Sequence, residues 1–367
     1  MAARRILIYR LGSLGDTVVA LPCFHLIARR FPDAERWLLS NRSVGPTTPS
    51  AADVLGGSGL VHGFIEYPRG LRGLRALAAL SRRIRSLRPE LLIFLAEPRG
   101  LRALMRDVAF FRASGVGQII PPPWRRELQR YHYDAASQSY ECETERLARC
   151  VRELGDARLA ERASWDLRLS AEEQARAATL VRGWPGSKQY IACSVGARIE
   201  VKDWGVGNWQ ALLARLGEDR PELGLVLVGA AREASVSDMA AARWRGPTIN
   251  LCGAATPRET AALLARARLF VGHDCGPMHL AAAMGTSCVA VFSARLPLRL
   301  WSPYGDHHRV VYHRVPCEGC ALERCAKFQK KCITSITVDE VYFAARAALD
   351  ESLAEPESTR RTGSVGL

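Results

Sequence analysis

Two stretches of the chain alternate short apolar runs with amphipathic, helix-patterned runs, and this alternation constrains the fold more than any other feature. In the first stretch Arg5–Tyr9, Arg36–Leu39, Val61–Tyr67 and Leu91–Leu95 read as strands, with helices predicted over Thr17–Arg30 and Leu71–Arg88. In the second, strands at Tyr190–Ser194, Leu223–Val228, Thr248–Asn250, Leu269–Val271 and Val289–Phe292 alternate with helical patterns. Those helices cover Trp209–Leu216, Arg232–Arg243, Pro257–Arg266 and His279–Met284, and Val338–Leu349 adds a last one. Strands separated by helices imply parallel sheets covered on both faces. The segment between, Pro121 to Ser170, is less regular: three prolines break it, and a helical pattern follows over Tyr140–Leu154. Ser170 caps a helix predicted over Ala171–Arg182, which Gly183-Trp184-Pro185-Gly186 ends. The expected organisation is therefore a doubly wound α/β domain over residues 1–170, a second over 186–350, and a disordered tail at 355–367. No internal sequence repeat is visible.

Composition agrees with a two-domain globular protein. The chain has 367 residues, more than one domain usually holds, and 48% of them are hydrophobic. No apolar run reaches the roughly 18–20 residues of a membrane span. The first run, Ile6–Tyr9, stops at Arg10 and is too short for a signal-peptide core, so a cytoplasmic location is expected. Eleven cysteines in that compartment point to thiols, core residues or metal ligands before disulfides. Four of them cluster as Cys317-x2-Cys320-x4-Cys325-x6-Cys332, a spacing open to a structural zinc, to free thiols or to a loop disulfide.

The net charge of +14 is unevenly placed: between Glu66 and Arg130 there are 14 arginines against 5 acids. Such a patch suits an anionic partner, or a set of solvated helix faces. Few aromatics interleave it and no nucleic-acid motif occurs, so nucleic acid is not the expected partner. An anionic membrane surface or a phosphorylated acceptor fits the patch better.

Four segments carry residues suited to chemistry. After the first strand comes Arg10-Leu11-Gly12-Ser13-Leu14-Gly15-Asp16, where glycines permit a tight turn and Asp16 is either a first-turn cap or a general base. Ser194-Val195-Gly196-Ala197-Arg198, followed by Lys202, joins a strand end, a small-residue turn and two cations, which suits a diphosphate. At Val228-Gly229-Ala230-Ala231-Arg232-Glu233 a strand ends in glycine, and Glu233 is either an exposed first-turn acid or a ribose acceptor. Asp274-Cys275-Gly276-Pro277-Met278-His279 is the strongest segment, a turn from strand into helix that offers backbone N–H groups to an anion. On its own His279 reads equally as an interior histidine or a ligand.

Together these segments resemble the heptosyltransferase family, glycosyltransferase family nine, most closely over 4–34 and 190–340. The resemblance implies the GT-B architecture, two Rossmann-like domains facing across a cleft, although such a layout alone would also suit an epimerase or a periplasmic-type binding protein. It implies an inverting transfer that requires no cofactor, with Asp16 as base and Lys202 on the donor phosphate. Donor contacts would come from Ser194, Gly196, Ala197, Arg198, Gly229, Glu233 and the 274–279 turn. Gly12, Ser13, Gly15, Arg69, Arg72 and Arg99 are the candidates on the acceptor side. The implied donor is a nucleotide sugar, ADP-heptose foremost, and the implied acceptor a lipopolysaccharide-core glycan at the inner membrane. Cys275 departs from the family's usual Thr or Ser, which leaves another nucleotide sugar, or a glycan or protein acceptor, open. A non-catalytic nucleotide-sugar scaffold is the remaining alternative.

Overall fold

The computed structural model describes residues 4–42, 48–122, 124–182 and 189–354. The expected helix stop at 183–186 and the tail at 355–367 lie outside them. The chain divides into two compact units, Met1–Arg168 and Leu169–Leu367.

The first unit is built on a five-stranded parallel sheet, β1 (Arg5–Tyr9), β2 (Glu35–Arg42), β3 (Gly63–Pro68), β4 (Leu91–Phe94) and β5 (Gln118–Ile120), in the order β3-β2-β1-β4-β5. Its helices are α1 (Leu14–Val18), α2 (Leu21–Arg30), α3 (Ala51–Leu55), α4 (Leu74–Leu87), α5 (Leu101–Ala113) and α6 (Glu143–Cys150). A two-stranded antiparallel ribbon, β6 (Tyr133–Asp134) with β7 (Ser139–Tyr140), lies just before α6. The single helix expected over 17–30 is two. The backbone at Ala20 leaves room for Pro22 in the first turn of α2, where its missing N–H costs nothing.

The second unit begins with α7 (Ala171–Leu180) and holds a six-stranded parallel sheet. Its strands are β8 (Tyr190–Ser194), β9 (Gly224–Leu227), β10 (Thr248–Asn250), β11 (Leu269–His273), β12 (Cys288–Phe292) and β13 (Arg309–Tyr312). They run in the order β10-β9-β8-β11-β12-β13. The remaining helices are α8 (Val206–Asp219), α9 (Ala234–Ala241), α10 (Pro257–Leu264), α11 (Gly276–Ala283), α12 (Lys331–Thr334) and α13 (Val338–Ala354). Strands β8, β11 and β12 are buried along their whole length, as befits a sheet covered on both faces. One of those covers is α13, whose Val341, Tyr342, Ala345 and Leu349 join the same core as Trp204, Trp209 and the strands.

Both strand orders reverse direction once, between β1 and β4 in the first sheet and between β8 and β11 in the second. At such a reversal the loops leave the carboxyl ends of neighbouring strands in opposite directions and open a crevice there, the usual ligand position in doubly wound sheets. Each unit therefore has one place where chemistry is expected, and the fold alone specifies it.

Candidate active site

In the first unit the reversal point carries the 10–16 segment after β1 and residues 95–99 after β4. Asp16 occupies the third position of α1, where its Oδ2 accepts from the Ser13 amide at 2.7 Å and the Ser13 hydroxyl at 3.2 Å. The capping role is thus realised. Gly12, at φ +120°, lies under this carboxylate: a Cβ there would fall 2.1 Å from Asp16 Cγ, so the position admits no side chain. Behind the turn, Arg10 donates Nε to the Asp16 carbonyl at 2.9 Å and Nη1 to Glu143 at 2.7 Å. Glu143 also accepts from Arg146 at 2.7 and 2.8 Å and from the Tyr131 hydroxyl at 2.9 Å. All three charged side chains are at most 1% exposed. Burial opposes ionisation of Glu143, but Arg146 and Arg10 overcome it and hold the carboxyl down to about 2.

The candidate acceptor residues divide. Gly12, Ser13 and Gly15 sit with Asp16 at the turn, half-buried, whereas Arg69 and Arg72 are exposed in the loop between β3 and α4. Arg99 is committed elsewhere: it pairs with the buried Asp107 and donates to the Tyr9 hydroxyl at 3.3 Å. The structure therefore gives Arg99 a structural partner that its sequence position did not suggest.

In the second unit the reversal point brings together segments 72 residues apart. Lys202 Nζ lies 2.5 Å from Asp274 Oδ2 and donates to the Asp274 carbonyl at 3.2 Å, with both side chains largely buried. Ser194, at the end of β8, hydrogen-bonds the thiol of Cys275, which caps the start of α11. Burial pushes that thiol up to about 12, so it stays protonated and neutral. Gly276 begins α11, Pro277 follows without an N–H, and the His279 amide faces the Cys275 carbonyl at 3.4 Å. The side chain of Met278 is fully buried, so only its backbone belongs to the site. His279 is buried too, its ring edge-on to Trp301 at 6.0 Å.

Glu233 takes the capping role. Its Oε2 accepts from the Ala230 amide at 2.9 Å, while Oε1 faces Arg232 at 3.3 Å. It also explains two glycines: a Cβ on Gly196 would fall 2.2 Å from Glu233 Cδ, and one on Gly229 2.6 Å from Oε2. Ala197 follows Gly196 half-buried, and Arg198 is exposed.

One position that ties the site together carries no signal in the sequence. His273, the last residue of β11, is fully buried, and its Nε2 accepts from the Trp204 amide at 3.0 Å and the Trp209 indole at 3.3 Å. Two donors on Nε2 require the proton on Nδ1, which faces the Gly196 carbonyl at 3.4 Å. The ring therefore ties the 194–198 turn to the loop that carries Lys202. Burial lowers its pKa to about 4. Replacing it with phenylalanine is expected to leave two buried donors unpaired, at roughly 1–3 kcal/mol each, read as a lower denaturant midpoint. Because the folded pKa lies below the ordinary 6.5, the wild-type histidine's contribution is complete above that pH and is lost as pH falls toward 4.

The four clustered cysteines are free thiols. Burial raises the Cys332 thiol, with Cys317, Cys320 and Cys325 near enough to add to the effect. Among the described residues no group of three or more Cys, His, Asp or Glu is arranged to hold a metal ion.

Two doubly wound units, each with polar residues at its strand reversal, define an α/β protein with parallel sheets. The family model for glycosyltransferase family 9 (heptosyltransferase) matches residues 126–331, more than half of the chain, and the chain belongs to that family. It is similar in fold to the glycosyl transferase family 9 structure from Veillonella parvula (TM-score 0.72, 15% identity, 95% of this chain and 98% of that one). It is also similar to E. coli ADP-heptose LPS heptosyltransferase II (TM-score 0.65, 18% identity, 95% and 100% covered). These likenesses establish the GT-B fold of the family. Among curated proteins, lipooligosaccharide heptosyltransferase 2 of Campylobacter jejuni is 26% identical over 103 residues. That match spans 28% of this chain and only 32% of the relative.

Proposed function

We propose that this protein is an inverting, metal-independent sugar transferase that moves heptose from ADP-heptose onto a lipopolysaccharide-core acceptor. The observation that carries the reading is the meeting of Lys202 and Asp274 at the strand reversal of the second unit, beside the 194–198 turn. In this reading Lys202 offsets the charge of the departing diphosphate and Asp274 turns to the sugar hydroxyls once a phosphate takes its place on Lys202. Ser194, Gly196, Ala197, Arg198 and the Gly276 amide line the donor, with Gly229 and Glu233 near its ribose. Asp16 removes the proton from the acceptor hydroxyl as it attacks the anomeric carbon. Gly12, Ser13 and Gly15 shape that turn, and Arg69 and Arg72 meet the anionic groups of the acceptor.

No helix among the described residues is long and apolar enough to cross a membrane. Leu74, Leu101 and Met105 are nevertheless exposed at 86%, 45% and 64% on the arginine-rich α4 and α5. Apolar side chains among arginines suit the headgroup layer of an anionic bilayer. We place the protein in the cytoplasm, resting on the inner face of the inner membrane.

Calorimetry with ADP-, GDP-, UDP- and dTDP-sugars, ADP-heptose included, tests the donor. Selective binding of ADP-heptose is expected. Lys202→Met should weaken it by roughly ten- to a hundredfold, the worth of a charged hydrogen bond of about 1.5–3 kcal/mol. Selective binding of another nucleotide, favoured by the unusual cap Cys275, would keep the mechanism and change the pathway. Binding unaffected by Lys202→Met would sink the assignment of Lys202.

A further inference from the structure

Glu97, three residues beyond β4, belongs to no motif, yet the sheet places it against Asp16. The register sets Tyr9 of β1 beside Phe94 of β4, and the ladder continues past both strands. The Leu95 amide donates to the Tyr9 carbonyl at 2.8 Å, Arg10 Nη1 donates to the Leu95 carbonyl at 2.8 Å, and Arg146 Nη2 reaches the Ala96 carbonyl at 3.3 Å. The next residue is Glu97, half-buried and side-chain hydrogen-bonded to Asp16. Two carboxyl groups in hydrogen-bond contact must share a proton, because two adjacent negative charges repel strongly in a buried site.

The surrounding groups decide which of the two holds it. Arg10 and Arg146 are both held by Glu143, the third carboxylate of the cluster, and Tyr131 donates to that same residue. Asp16 already accepts from the Ser13 amide and hydroxyl, and donors of that kind favour a charged oxygen. Glu97 is faced by the negative charges of Asp16 and Glu143, with the Arg10 guanidinium opposing them. Burial first, and Asp16 second, push its carboxyl up to about 7.

We infer that Glu97 is the proton-bearing partner of Asp16, a positioning residue that donates to the carboxylate and holds it against the Ser13 turn. The inference rests on the reading of Asp16 as base only for its consequence in turnover; the pairing itself does not depend on it. Deprotonating Glu97 would replace this donor with a second negative charge and release Asp16 from its place. Transfer should therefore decline as pH rises through neutrality.

The deciding experiment is a carboxyl titration by NMR on the full chain, carbon-labelled at Asp and Glu. A glutamate signal titrating near neutrality is expected in the wild type, missing from Glu97→Gln and moved down toward the ordinary glutamate range in Asp16→Asn. A near-neutral signal that persists in Glu97→Gln, or that Asp16→Asn leaves in place, overturns the pairing. Kinetics with ADP-heptose add the positioning role. Glu97→Ala should lower kcat about tenfold with donor KM unchanged, by loss of one hydrogen bond to a charged group. Glu97→Gln, which keeps a donor, should restore kcat and remove the alkaline decline; wild-type kcat in Glu97→Ala overturns that role. An Asp16→Asn protein that still transfers sugar overturns the base reading and leaves the titration result standing.

Discussion

Asp16→Asn is expected to lower the rate of sugar transfer by 10²- to 10⁴-fold, roughly the range that a positioned general base contributes. Asparagine keeps the size of the side chain, and its carbonyl oxygen can still accept from the Ser13 amide and hydroxyl that cap α1. The fold should therefore survive, and donor affinity, set in the other unit, should not change. Rate measurement at saturating ADP-heptose, together with calorimetry on the same variant, separates the two effects. A loss below threefold with normal binding would remove Asp16 from the chemistry and leave it as a helix cap.

The largest expected loss of stability comes from Glu143. Among the described residues Glu143 is the carboxylate that pairs with both Arg10 and Arg146, and Glu143→Gln takes that ion pair from two guanidiniums that are 1% exposed. Breaking a buried pair in this way costs about 3–5 kcal/mol, because the remaining charge cannot recover its hydration. Arg10 Nη2, already buried without a hydrogen-bond partner among the described residues, makes the position less able to adapt. The pH dependence has a definite sign. The folded carboxyl sits near 2 against an ordinary 4.5, so its contribution is complete above 4.5 and disappears as pH falls toward 2. Denaturant midpoints of the two proteins should thus differ widely at neutral pH and converge in acid. A variant as stable as the wild type at neutral pH would show that the arginines relax into water.

Much of this architecture is legible in sequence because parallel strands buried on both faces are continuous apolar runs. Ile6–Tyr9, Leu91–Leu95 and Tyr190–Ser194 are of that kind, and each is a central strand. Edge strands β5 and β13 were not read, being short and only partly apolar. Helix α5 went unread as well: Gly100 starts it at φ +83° with no polar cap, and arginines interrupt its apolar face. The start of α11 was set three residues late, at His279 instead of Gly276, because a Gly-Pro pair reads as a turn although proline fits a first helical turn.

The site divides along the same line. Residues within one turn, such as Gly12 with Asp16, show themselves by spacing. Asp16, Glu97 and Glu143 are brought together only by the strand order and α6, and nothing in their spacing marks them as one group. His273 was hidden for another reason: a histidine ending an apolar strand looks like filler until two indole-bearing residues are seen to surround it.

The helix α13 bears on how the protein is made. Its apolar residues complete the core that holds β8, β11 and β12, and Trp204 reaches across to donate its indole N–H to the Ile336 carbonyl at 2.9 Å. Domains fold as units during synthesis, in order from the amino end. The first unit can thus reach its native packing while translation continues. The second completes its core only when residues 338–349 have left the ribosome, and until then the part of the sheet that α13 covers stays open. The loop that carries Lys202 is consequently among the last parts of the protein to become ordered.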